Sequence, residues 1–196
     1  MLNILLRDIN SDVISAWEQV FSDLPTVSVS CGDIFEQDAD AIVSPANSFG
    51  FMDGGIDLIY SRFFGWELEE RLKRVLTEQY FGELPVGQAV IIPTENTSIP
   101  FLISAPTMRV PNNISQTLNV YLAFRAALIA VLQHNFHSST PIQSLLVPGL
   151  GTGIGDVPPE RAARQMRAAY DVIIRGEGVT YRSAREVLNH HRELTR

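Results

Sequence analysis

Cysteine is nearly missing from this chain: Cys31 stands alone in 196 residues. A lone thiol excludes an intrachain disulfide and a cysteine-based zinc cage. No histidine is set beside it as a base, so it reads as a small buried residue rather than a nucleophile. Positive charge is also scarce. Lys and Arg number 15 against 22 Asp and Glu, a net charge of -7, whereas a surface built for the nucleic-acid backbone needs clustered cations. Nucleic acid is not an expected partner. Long apolar runs are lacking too: "MLNILLRD" is interrupted by Arg7 and Asp8 too early for a signal peptide, and "VYLAFRAALIAVL" contains Arg125 and is too short to cross a bilayer. A cytoplasmic protein with no membrane partner is the expectation. His134 and His137 sit at i, i+3 spacing without a further ligand cluster, so no metal site and no cofactor are expected.

Linkers, low-complexity tracts and internal repeats are absent from the sequence as well, which leaves one α/β domain over residues 1–196. Within it, residues 1–26 read as an N-terminal strand and helix, the helix placing Val13, Ala16, Trp17, Val20 and Leu24 on one face. "TVSVSCGD" and "DADAIVSPAN" are the next strands, and "IDLIYSRFFG" is a short helix stopped by Gly65. A helix from Trp66 to Tyr80 has Leu68, Leu72, Val75, Leu76 and Gln79 at helical spacing, with Glu69–Lys73 and Glu70–Arg74 pairs on its wet side. Phe63, Phe64 and Trp66 read as core. "QAVIIPT" and "FLISAP" are buried-type strands around a polar turn at Asn96. Ser115 can cap a long helix running to about His134; "SLLVPG" is a further strand, and Pro158 and Pro159 suit the first turn of the helix after it. Residues 176–196 form a basic helical tail, with a short strand at "VTYR".

Against these scarcities stands a local excess of glycine. "LLVPGLGTGIGDVPPE" places Gly149, Gly151, Gly153 and Gly155 at every second position, between a strand and a helix. Each glycine costs conformational entropy on folding, so the cluster needs a physical reason. A strand, glycine turn and helix together form an anion site: backbone N–H groups converge and the helix N-terminus adds partial positive charge. N–H bonds to phosphate of this kind are worth roughly 1.5–3 kcal/mol each. No lysine follows the glycines and no G-x-G-x-x-G register fits, so the ATP-type and dinucleotide-type phosphate loops are excluded. The alternative is a tight turn with close helix–strand packing.

"SPANSFGFMDGGIDLIY" repeats the strand–turn–helix arrangement, with Gly54 and Gly55 as a second cradle. In open α/β sheets, ligands sit beyond the carboxyl ends of the strands, where both turns belong. Two facing cradles suit a diphosphate. Asn47 at a strand end can hydrogen-bond sugar hydroxyls, and Asp33 can accept from an exocyclic amine or else serve as a turn aspartate.

"GDIFEQDADAIVSPANSFGFMDGGID" and "LLVPGLGTGIGDVPPE" together resemble the macro domain family, with motif order and spacing matching over about Val27 to Arg175. They are similar to its G-D-I, its I-V-N-A-A-N strand end, its first glycine loop and its S-T-G-I loop. The resemblance implies a three-layer α/β/α fold with a central mixed sheet. It implies a crest cleft for ADP-ribose or a derivative, with ADP-ribose or an ADP-ribosylated protein as partner. By that likeness Asp33 and Ile34 meet the adenine, Gly54, Gly55 and Ile56 grip the diphosphate with Gly151, Thr152, Gly153, Ile154 and Gly155, and Asn47 approaches the distal ribose.

The hydrolytic branch of the family, which removes mono-ADP-ribose or deacetylates O-acetyl-ADP-ribose, shows asparagine, six residues, G-G, an aliphatic residue and aspartate. "NSFGFMDGGID" reproduces that spacing. Asp57, with Asn47, thereby becomes the candidate for handling a water at the distal ribose; the alternative is that Asp57 stabilises the N-terminus of the following helix. Cleavage of ADP-ribose 1″-phosphate is a weaker option. The sequence departs from the branch in three places. Gly155 and Val157 replace aromatics beside Asp156, which is expected to turn away and cap the next helix. Ser44-Pro45 replaces asparagine-alanine, and Asp53 a glycine. Finally, the family's closing strand, whose aromatic stacks on adenine, has no clear counterpart after Arg175, where Tyr181 is the one available ring.

Overall fold

A computed structural model describes residues 2–177 and 180–196. Short apolar runs form six strands: β1 (Asn3–Asp8), β2 (Val27–Cys31), β3 (Ala41–Ser44), β4 (Val90–Pro93), β5 (Phe101–Ser104) and β6 (Ser144–Val147). They make one mixed sheet in the order β2-β1-β6-β3-β5-β4. All neighbours are parallel except β4 and β5. The exception follows from the connection: Asn96 Oδ1 accepts from the N–H groups of Ser98 and Ile99, closing a hairpin turn that returns the chain antiparallel. The parallel strands are covered on both faces, which explains why β3 has every residue buried and is apolar up to its final Ser44.

Three helices lie on one face: α1 (Ser11–Phe21), α4 (Asn119–His137) and α5 (Pro159–Ile173). They pack Trp17, Phe124, Val131 and Met166 against the sheet. On the other face α2 (Gly55–Phe64) and α3 (Glu67–Tyr80) contribute Tyr60, Leu68, Leu72 and Leu76. The result is a three-layer α/β/α fold. α6 (Ala184–Thr195) lies against α5, where Gln165 Nε2 donates to the carbonyl of Leu194.

Several local expectations are corrected. α4 begins at Asn119 rather than at Ser115, because Thr117 Oγ1 accepts from Asn119 N–H while Ser115 Oγ donates to Asn113. Pro158 and Pro159 do open α5. Cys31 is exposed, since its strand lies at the sheet edge. Phe63 and Trp66 are also exposed; Phe63 stacks on Phe35 at 3.8 Å between ring centroids, which shields one of its faces outside the core. In the expected strand at 179–182, Val179 lies outside the described residues, and Thr180 to Arg182 are irregular.

Candidate functional site

Because β3, β6 and β1 are adjacent and parallel, their carboxyl ends share one edge of the sheet. The segments that leave them enclose a cavity of about 680 Å³. Asn47, Asp53, Gly54, Gly55, Ile56 and Asp57 line it after β3, Gly149 and residues 151–155 after β6, and Asp8, Ile9 and Asn10 after β1. The two glycine turns thus meet in one cavity. Asp33 and Ile34 are not among its lining residues. Asp33 is exposed and caps a single 3₁₀ turn, accepting from Phe35 N–H at 3.0 Å, and the Ile34 side chain is buried in the α2/α3 core.

Within the second turn the glycines divide in purpose. Gly151 has φ +71°, and a Cβ there would lie 2.9 Å from Val120 Cγ2; at Gly155 it would lie 2.5 Å from the carbonyl oxygen of Gly151. Both positions are glycine because the protein's own packing requires it. Gly153 and Gly54 face open space, with nothing within 4 Å of a would-be Cβ. The packing explanation therefore accounts for part of the cluster, and the ligand explanation is left with Gly153. No described residue accepts from the backbone N–H groups of residues 151–155 or 53–57. Such unsatisfied donors at a loop and a helix start form an anion-binding surface.

Asp156 turns away from the cavity, as expected, but it does not cap α5. It accepts from Asn113 Nδ2 at 2.9 Å, and Pro158 occupies the cap position with no side-chain bond. Val157 is buried in the core.

Asn47 is largely committed to its own loop. Its Nδ2 donates to the Phe51 carbonyl at 2.7 Å, and its Oδ1 accepts from Phe49 and Phe51 N–H. One N–H is left to face a ligand.

Asp57 is buried on the cavity wall in the first turn of α2. Ser44 Oγ, at the end of β3, donates to its Oδ1 at 2.6 Å. Burial pushes the Asp57 carboxyl up to about 7, the Ser44 hydrogen bond opposes that rise, and the nearby negative charge of Glu69 adds to it. Glu69 was expected on the wet face of α3. It pairs with Lys73, yet its other oxygen accepts from Met52 N–H at 2.8 Å, which turns the carboxylate inward against the Asp57 loop. Sequence spacing marked the pair but not this inward contact. It equally missed Ser44 as a partner of Asp57, because the strand end and the helix start lie 13 positions apart in the chain.

The family model described as Macro domain matches residues 43–166. The chain belongs to the macro domain family. The match includes both glycine turns, Asn47 and Asp57, and excludes β1, α1 and α6. This macro domain is 39% identical over 140 residues to an uncharacterized protein of Aquifex aeolicus, covering 71% of this chain and 78% of that one. It is 30% identical over 147 residues to a protein of Salmonella gallinarum named O-acetyl-ADP-ribose deacetylase, covering 74% and 77%. A mutant macrodomain of Oceanobacillus iheyensis solved with ADPR superposes at a TM-score of 0.59 with 23% identity, covering 70% of this macro domain and 72% of that chain. Among the described residues no helix is long and apolar enough to cross a membrane.

Proposed function

We propose that this macro domain binds ADP-ribose, free or attached to a protein. One observation carries the reading: both glycine turns open into a single cavity, and among the described residues nothing accepts from the backbone N–H groups of residues 53–57 and 151–155. A diphosphate between the turns accepts from both, and the flanking ribose units extend along the sheet edge. The structural neighbour solved with ADPR and the Salmonella relative's name support this choice of ligand. The test is a melting experiment with added ADP-ribose. A ligand that binds only the folded state raises the melting temperature in a saturable, concentration-dependent way. No rise at millimolar ADP-ribose speaks against the reading.

A second reading, hydrolysis of an ADP-ribosyl ester or bond, is favoured by Asp57. A general base works best with a pKa near the working pH, and burial brings this carboxyl to about 7. In this reading Ser44 fixes one carboxylate oxygen and the other accepts a proton from a water directed at the distal ribose or its acyl group. Asn47 shapes the loop around that water through its bonds to Phe49 and Phe51. The substrates that test it are O-acetyl-ADP-ribose and a mono-ADP-ribosylated protein.

A further inference from the structure

The segments leaving β3, β6 and β1 follow one another along the sheet edge at about 4.8 Å per strand, and all three line the same cavity. With the diphosphate between the β3 and β6 turns and the distal ribose at Asp57, towards the β5 side of the cavity that Thr107, Met108 and Val110 line, the adenosine half extends the other way. It passes over β6 towards β1.

At that end the chain is held firmly. Asp8 Oδ2 accepts from Gly149 N–H at 2.9 Å, and Asp8 Oδ1 accepts from Asn10 N–H at 2.9 Å. Asn10 Oδ1 in turn caps α1 by accepting from Asp12 N–H. Clamped between them is Ile9, a cavity-lining residue that is 79% exposed. A scattered exposed isoleucine needs no explanation. This one projects from a fixed turn into the ligand cavity, and the β2 end bearing Asp33 stands one strand further out.

We infer that Ile9 is the platform against which the nucleobase lies, so that the β1–α1 junction near the N-terminus sets base recognition. This inference rests on the ADP-ribose reading. β1 stands between β2 and β6 in the sheet, which sets Ile9 beside the second glycine turn.

Calorimetry on the full chain tests it with wild type, Ile9→Ala and Ile9→Trp. Loss of the apolar face should weaken ADP-ribose binding about tenfold in Ile9→Ala. The melting temperature should hold, because the side chain is exposed. Ile9→Trp should bind at least as tightly as wild type, and its added emission should fall as ADP-ribose saturates the site through stacking on the base. If wild type binds ADP-ribose and Ile9→Ala binds it equally well, the inference is overturned while the ligand reading stands. If wild type does not bind, both fall.

Discussion

Ser44 Oγ donates to Asp57 Oδ1 at 2.6 Å, joining the last residue of β3 to the first turn of α2 beneath the cavity. Serine stands here where the family pattern has asparagine. The bond lowers the proton affinity of Asp57, but burial and Glu69 raise it by more.

This balance predicts a specific dependence of stability on pH. Burial puts the folded carboxyl at about 7 against an ordinary aspartate value of 3.8, so folding takes up a proton between those values. The wild type accordingly loses stability as pH rises from the unfolded pKa through the folded one, and the loss is complete above it. Asp57→Asn keeps an acceptor for Ser44 and removes the titration. Its stability relative to wild type should climb over that window, reaching at most a few kcal/mol, on the order of 1.4 kcal/mol per pKa unit. Urea midpoints measured at about pH 4 and about pH 8 check this; equal differences at both would contradict it.

For the catalytic reading, Asp57→Ala should lower turnover by roughly 10²-fold, the usual scale for a general base. ADP-ribose affinity should fall far less, since backbone groups supply the diphosphate contacts. Turnover should rise with pH through about 7, where Asp57 ionises. In Ser44→Ala that limb should move to higher pH, because a bond favouring the charged carboxylate is gone. A pH–rate profile that Ser44→Ala leaves in place argues against Asp57 as the base.

The two kinds of glycine in the second turn predict opposite behaviour. Gly153→Glu has open space around it and should fold normally, yet abolish ADP-ribose binding by placing a negative charge where phosphate approaches. Gly151→Ala should destabilise by about 1–3 kcal/mol through its left-handed backbone and the contact with Val120. Thermal melts and ligand titrations of both variants separate the roles. Normal binding by a folded Gly153→Glu would contradict a phosphate contact at this turn.

Elements with strong local signals were legible in the sequence. The apolar runs of β3 and β6, the Gly65 stop of α2 and the prolines opening α5 each act within a few residues. Contacts set by the third dimension were not. Glu69 fits a surface i, i+4 pair from sequence alone, and only the approach of the Met52 loop turns it inward. Asn47 was placed at the right strand end, but its bonds to Phe49 and Phe51 depend on a loop shape that residue spacing does not encode. The cavity wall at Ile9 was invisible for a topological reason. Strand pairing alone brings β1 between β2 and β6, where its end stands beside the second glycine turn.

The central claim, that both turns grip one diphosphate, is tested most directly by calorimetric titration of the wild type with ADP-ribose, AMP and ribose 5-phosphate. The account predicts clear preference for ADP-ribose, with each half-molecule binding weakly, because only the intact diphosphate reaches the N–H groups of residues 53–57 and residues 151–155 together. Equal affinity for AMP and ADP-ribose would contradict it.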